Sequence, residues 1–253
     1  MIRKVALALT IAALLPELTF AQTAPRAVVA QPIEWSSLTS NVKVNKYLSL
    51  QLEGQFRFAH TFQPMQFQFR TAAEIHLTKK LSIVPIGYVY TANPVYGKQP
   101  AKFVNNEHRL WQQVMFKHKA GRVHLSHRAR IEQRYIQVHT INNGEVVNEG
   151  FDYFANRARF RFMMNVPFGN KEMGPKTVFG SFYEEVFVSW GPKTTFHKPD
   201  QNRVFAGVGY QVTKDFTVTS GLIYQMLIKA NGTMQENNLG VQVMVGYNFD
   251  LTD

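Results

Sequence analysis

Cysteine is absent from this 253-residue chain. That excludes disulfide bonds, thiol catalysis, cysteine-ligated zinc and a lipidated cysteine anchor. It leaves the redox compartment open. Long apolar runs are scarce too: beyond the N-terminus no stretch of about twenty apolar residues occurs, so no transmembrane helix is expected. Acidic side chains are few, with 17 Asp and Glu against 28 Lys and Arg, a formal charge of +11. A basic excess often marks nucleic-acid binding. Here the cations are spaced by two along alternating segments instead of clustering on a helix, so no nucleic-acid partner is expected. No self-similar period of about 20–50 residues occurs, which argues against solenoids and propellers.

The N-terminus reads as a secretory signal peptide, residues 1–21. Arg3 and Lys4 form the basic n-region, residues 5–15 are apolar but too short to span a bilayer, and Thr19-Phe20-Ala21 suits a signal peptidase. Removing Arg3, Lys4 and Glu17 takes the formal charge from +11 to +10. Residues 22–253 are expected to form a single domain.

Most of that domain alternates residue by residue. In 153–166, Arg157, Arg159 and Arg161 share one face, whereas Ala158, Phe160, Phe162 and Met164 share the other. Similar segments cover 35–44, 47–59, 65–77, 81–92, 106–118, 122–138, 178–190, 201–212, 216–229 and 238–249. Strands that are greasy on one side and charged on the other read as an all-β fold. The expected form is a transmembrane, antiparallel, up-and-down β-barrel with lipid outside and a polar lumen. Eleven segments are clear. Single-chain bacterial barrels normally have even counts, so twelve strands are expected within a range of ten to twelve, with 27–33 supplying the twelfth. Short turns at 45–46, 78–80, 119–121 and 213–215 alternate with longer loops at 93–105, 139–152, 191–200 and 230–237. Residues 168–177 are long for the short-turn side.

The lumenal parity collects Glu53, Arg57, Arg70, Glu74, Glu107, Arg109, Arg128, Arg130, Glu132, Arg134, Arg157, Arg159, Arg161, Glu185 and Arg203. Guanidinium groups crowded in a narrow barrel repel, so they require partners. The hairpin 106–138 gives a register. A tight turn at Ala120-Gly121 pairs Lys119 with Arg122, setting Glu107 opposite Arg134 and Arg109 opposite Glu132. Slipping by two sets like charges against each other, which is unfavourable.

The motifs Glu107-His108-Arg109-Leu110-Trp111-Gln112-Gln113 and His127-Arg128-Ala129-Arg130-Ile131-Glu132-Gln133-Arg134 continue in order into Arg157-Ala158-Arg159-Phe160-Arg161, Tyr183-Glu184-Glu185-Val186-Phe187 and Asp200-Gln201-Asn202-Arg203. Together they resemble an uncharacterised outer-membrane β-barrel family, domain of unknown function 2490. The family commonly has Asn-Glu where this chain has Glu184-Glu185. The resemblance implies a barrel and an envelope location and supplies no activity.

Three functions are weighed. The first is a structural envelope protein whose lumen is filled by ion pairs. The second is a small anion-selective pore, and the third is an outer-membrane lipid hydrolase. For hydrolysis, a serine needs a histidine within reach and a group to orient it. His108 and His127 have outward parity, and Ser126 lies on the face opposite to its neighbour His127. No catalytic residue, metal ligand or cofactor is therefore assigned, and the reading leans against an enzyme. Expected partners are outer-membrane lipid, the barrel-assembly machinery and small anions, with the chain monomeric in the bacterial outer membrane.

Overall fold

The structure, a computed structural model, describes residues 26–97, 102–192, 194, 199–230 and 232–252. The expected signal peptide, 1–21, lies outside the described residues. Fourteen strands follow in order: β1 (Ala27–Val29), β2 (Pro32–Lys43), β3 (Leu48–Ala59), β4 (Gln63–His76), β5 (Leu81–Asn93), β6 (Asn105–Ala120), β7 (Val123–Ile136), β8 (His139–Asn142), β9 (Glu145–Asn148), β10 (Tyr153–Pro167), β11 (Thr177–Trp190), β12 (Pro199–Gln211), β13 (Phe216–Ile228) and β14 (Met234–Asp250).

Eleven of these strands, β2–β7 and β10–β14, close into a barrel. Consecutive wall strands pair antiparallel, and β14 closes on β2 in parallel, from Leu239 opposite Pro32 to Asp250 opposite Lys43. This corrects the expected twelve. An up-and-down path with an odd count leaves its first and last strands pointing the same way, so the closing seam must be parallel. Residues 27–33 do not make a separate crossing. β1 pairs with Met234–Glu236, ahead of β2 along β14, and lies outside the ring of eleven. β8 and β9 form a separate hairpin inside the expected long loop 139–152.

Alternation sets the wall's two faces. Along β11, Phe179, Ser181, Tyr183, Glu185, Phe187 and Ser189 are buried, whereas Val178, Glu184 and Trp190 are exposed. The outer face carries large apolar side chains in the open, among them Phe160 at 58% exposure, Leu222 at 60% and Leu239 at 59%. The inner face is mixed. Ile33, Trp35, Ala59, Met65, Tyr96, Tyr183, Phe205 and Ile223 make one apolar cluster; Ala72, Val84, Val89 and Trp111 make another. β5 is bulged between Val84 and Gly87, around Pro85, which has no N–H to give to a ladder.

The β6–β7 hairpin also differs from expectation. Its turn residues are Gly121-Arg122, with Ala120 opposite Val123, so Arg109 faces Arg134 and Trp111 faces Glu132. Gly121 has φ +62°. Placing the only residue without a β-carbon at the left-handed position moves the register by two from the predicted one. The β10–β11 turn keeps its unusual length. It reaches across to the β6–β7 turn, where Arg122 donates to the Pro167 and Asn170 carbonyls and Lys119 pairs with Glu172.

The parallel seam is tight at Gly240, where an added β-carbon would lie 1.7 Å from the Ile33 carbonyl oxygen. Gly240→Val is expected to lower stability by roughly 3 kcal/mol, the upper part of the usual overpacking range. Gly174→Ala, which meets open space, should leave the urea midpoint unchanged. Urea titrations of the folded protein in detergent micelles check both.

Candidate functional site

The structure places all fifteen charged residues named above on the inner face, and it joins most of them through shared carboxylates. Glu107 lies two residues from Arg109 on β6. It accepts from Arg109 Nε (2.6 Å) and Nη2 (2.8 Å) and from Arg134 Nε (2.6 Å) and Nη2 (3.1 Å). Arg109 and Arg134 oppose each other directly, yet both donate to one carboxylate. The expected direct cross-strand pairs, Glu107–Arg134 and Arg109–Glu132, are replaced by this diagonal sharing.

Glu132, fully buried, accepts from Arg157 Nε (2.8 Å) and Arg159 Nη1 (2.6 Å) and has Arg130 Nη1 at 3.9 Å. Glu185 accepts from Arg159 Nη2 (2.9 Å) and Arg128 Nη2 (2.5 Å), with Arg203 Nη1 at 4.0 Å. Arg159 therefore bridges two carboxylates. Glu53 pairs with Arg70, which is opposite it on β4. Glu74 takes no arginine among the described residues; Gln51 Nε2 (2.7 Å) and Ser82 donate to it.

Aromatic faces hold the guanidiniums that carboxylates do not saturate. Arg130 lies 3.8 Å over the Trp111 ring. Arg203 lies between Trp35 (4.9 Å) and Phe187 (4.6 Å), and Arg57 stands 4.3 Å over Trp35. Arg57 has no carboxylate partner among the described residues and donates to Gln55 Oε1 (2.6 Å) and Gln66 Oε1 (2.5 Å). A planar guanidinium stacks on a ring while its edge still donates.

Among the described residues, two cavities of the lumen bear on the site. One, about 280 Å³, opens toward the long loops and is bordered by Asn93, Tyr96, Arg134 and Lys229. The other, about 360 Å³, lies toward the short turns and is bordered by Arg70, Arg128, Arg130 and Arg161. Arg57, Arg159 and Arg203 border both, so they form the layer between the chambers.

A second polar centre escaped the sequence reading. Glu236, fully buried, pairs with Lys229 Nζ (2.6 Å) and accepts from Tyr96 OH (3.0 Å) and Asn238 Nδ2 (2.8 Å). The predicted loop 230–237 hid it, because β14 begins four residues before the predicted strand. Carrying the alternation of 238–249 back by one period would have put Glu236 inside. Tyr96 comes from the β5–β6 loop, for which no periodic signal exists.

Among the described residues, neither His108 nor His127 makes a hydrogen bond to a serine. His108 accepts or donates at Nδ1 to Tyr88 OH (2.6 Å) and packs on Tyr90 and Phe151. His127 stacks on His118, with centroids 5.1 Å apart. A serine–histidine contact forms elsewhere, Ser49 Oγ to His76 Nε2 at 2.8 Å. The nearby Glu74 carboxylate is engaged by Gln51 and Ser82 instead of orienting that ring. Among the described residues no group of three or more His, Asp or Glu could hold a metal ion.

A closed all-β barrel with an arginine–glutamate interior is thus the class that fold and site define. The chain belongs to the family described as "Protein of unknown function (DUF2490)", which matches residues 34–237 and so contains all fifteen charged positions and Glu236. No curated protein and no solved structure matches it.

Removing one partner of a buried ion network strands the others. Glu132→Ala is expected to cost roughly 3–5 kcal/mol. Glu145→Ala, on the exposed β8–β9 hairpin, should stay within about 0.5 kcal/mol. Urea unfolding followed by tryptophan fluorescence compares the two.

Proposed function

We propose that this protein is an exported, monomeric outer-membrane β-barrel that serves the envelope structurally, with its lumen closed by its own side chains. Its partners on this reading are outer-membrane lipid and the barrel-assembly machinery. The closed wall leaves no strand edge in its ring, which is what a β-protein needs in hydrocarbon. The exposed apolar outer face supports the same placement, since soluble monomers seldom expose apolar patches beyond a few hundred Å². With short turns periplasmic and long loops extracellular, the β8–β9 hairpin is extracellular.

The observation that carries the closed-lumen reading is the layer of Arg57, Arg159 and Arg203 between the chambers. Arg159 is tied to Glu132 and Glu185, and Arg203 is held between two rings. Rotating these groups aside would break buried charge-assisted bonds.

A second reading, a small anion-selective pore, is favoured by the ten arginines set against five glutamates among the fifteen inner positions. A ring of fixed cations selects for anions. Planar-bilayer recording separates the two readings. The wild-type protein is expected to give no conductance steps in symmetric salt from low to high ionic strength. Stepwise, anion-selective current from wild type would establish the pore and overturn the closed lumen.

A further inference from the structure

We propose that the short-turn chamber is a binding site for a phosphate-type oxyanion that enters from the short-turn mouth. The first observation is a set of unused donors. Arg70 Nε, Arg128 Nε, Arg130 Nη1 and Arg161 Nε are buried atoms with no hydrogen-bond acceptor among the described residues. The side chains of Arg70, Arg128 and Arg130 are 5%, 10% and 3% exposed. All four residues border the same 360 Å³ chamber. Leaving one charged group's N–H unsatisfied is costly, and native structures seldom tolerate several in one place.

The second observation is the charge pattern of the wall there. Arg161 is directly opposite Arg128, and Arg159 is directly opposite Arg130, on adjacent strands β10 and β7. Like charges so placed repel. At the long-loop end the same problem is solved internally, because Glu107 serves both Arg109 and Arg134. Glu132 serves Arg159 and lies 3.9 Å from Arg130 in the same way, but among the described residues the pair Arg128–Arg161 has no carboxylate that serves both. Glu185, across from Arg161 on β11, is taken by Arg128 and Arg159, and Glu53 is taken by Arg70. Arg161 has no ion pair among the described residues. An anion between Arg128, Arg130 and Arg161 completes the pattern that Glu107 completes elsewhere.

The third observation is the approach. A groove at the short-turn mouth is bordered by Lys79, Lys80, Lys117, Lys119 and His124, and it shares Arg161, Met163 and Asn165 with the chamber. Glu172 at this end pairs with Lys119, and Asp250 pairs with Lys43. Fixed positive charge in a low-dielectric funnel raises the local concentration of anions. The funnel leads to Arg161, then to Arg128 and Arg130, and ends at the Arg57–Arg159–Arg203 layer, so the chamber is a dead end. Guanidinium forks donate two parallel bonds to a tetrahedral oxyanion. A volume of 360 Å³ is about twelve times the ~30 Å³ share of one water, which suits a phosphate or pyrophosphate group with part of its hydration.

The phosphate can come from a soluble anion or from a lipid headgroup at the mouth, and titration calorimetry distinguishes these sources. The full-length protein, folded in phosphate-free maltoside micelles, is titrated with inorganic pyrophosphate and, separately, with short-chain phosphatidylglycerol. Saturable pyrophosphate binding that weakens with salt, falls about tenfold or more in Arg161→Gln and is only partly restored in Arg161→Lys identifies a soluble anion. Binding of phosphatidylglycerol alone, with the same dependence on Arg161, identifies a headgroup. Lys46→Gln, on another short turn, should leave either affinity unchanged. Among the described residues Arg161 makes no ion pair, so its variants are expected to keep the wild-type urea midpoint. Binding of neither ligand, or equal affinity in wild type and Arg161→Gln, overturns the proposal. The readout is affinity, so its failure is distinct from a failure of the closed-lumen reading, which conductance decides.

Discussion

The structure depends on carboxylates that each serve several guanidiniums. Glu107 holds two, Glu132 holds two by hydrogen bond and a third at 3.9 Å, and Glu185 holds two with a third at 4.0 Å. Burying an ion is expensive, and only dense, well-aimed pairing offsets it. With twice as many arginines as glutamates on the predicted inner positions, sharing is obligatory. Trp35, Trp111 and Phe187 take up part of the remainder by offering ring faces. Arg159 links Glu132 to Glu185 and thereby couples the neighbouring strands β7, β10 and β11.

This arrangement divides the interior unevenly. Around Glu107, Glu132 and Glu236 the polar groups are mutually engaged, and the β5–β6 loop adds Tyr96 to the seal. Toward the short turns Glu53 and Glu185 are committed to Arg70, Arg128 and Arg159, and Glu74 is held by Gln51 and Ser82, so Arg161 keeps no carboxylate partner among the described residues. The cationic surplus is therefore local, and it faces a chamber whose mouth is lined by lysines. An arginine layer in the middle of the lumen and a cationic chamber at one end are compatible with an envelope role and with anion capture from one side.

Much of this was legible in the sequence, because side-chain direction in a strand depends only on parity. That rule places Arg157, Arg159 and Arg161 inside and Phe160 and Phe162 outside without knowledge of their neighbours. Register is a harder quantity. It depends on which residue takes the left-handed turn position, and at Gly121 a two-residue difference changed every partner in the β6–β7 hairpin. The expectation that opposite charges must face each other also failed there, because arginine is long enough to reach a carboxylate two residues away on its neighbour's strand. Strand number misled for a different reason: the rule of even counts assumes antiparallel closure, and β14 closes on β2 in parallel. Tyr96 had no periodic context, since it belongs to a loop, whereas Lys229 ends the alternating segment 216–229 and shares the inner parity of Ile223 and Gln225.

The central claim is a wall with hydrocarbon contact on one side and buried ion pairs on the other. The chain has no cysteine, so single spin labels can be placed at Phe160, Leu222 and Leu239 through cysteine substitution, and collision with dissolved oxygen can be compared with collision with a water-soluble nickel chelate in lipid vesicles. Membrane placement predicts high oxygen and low nickel accessibility at all three positions. High nickel accessibility at these positions in the folded protein would contradict it.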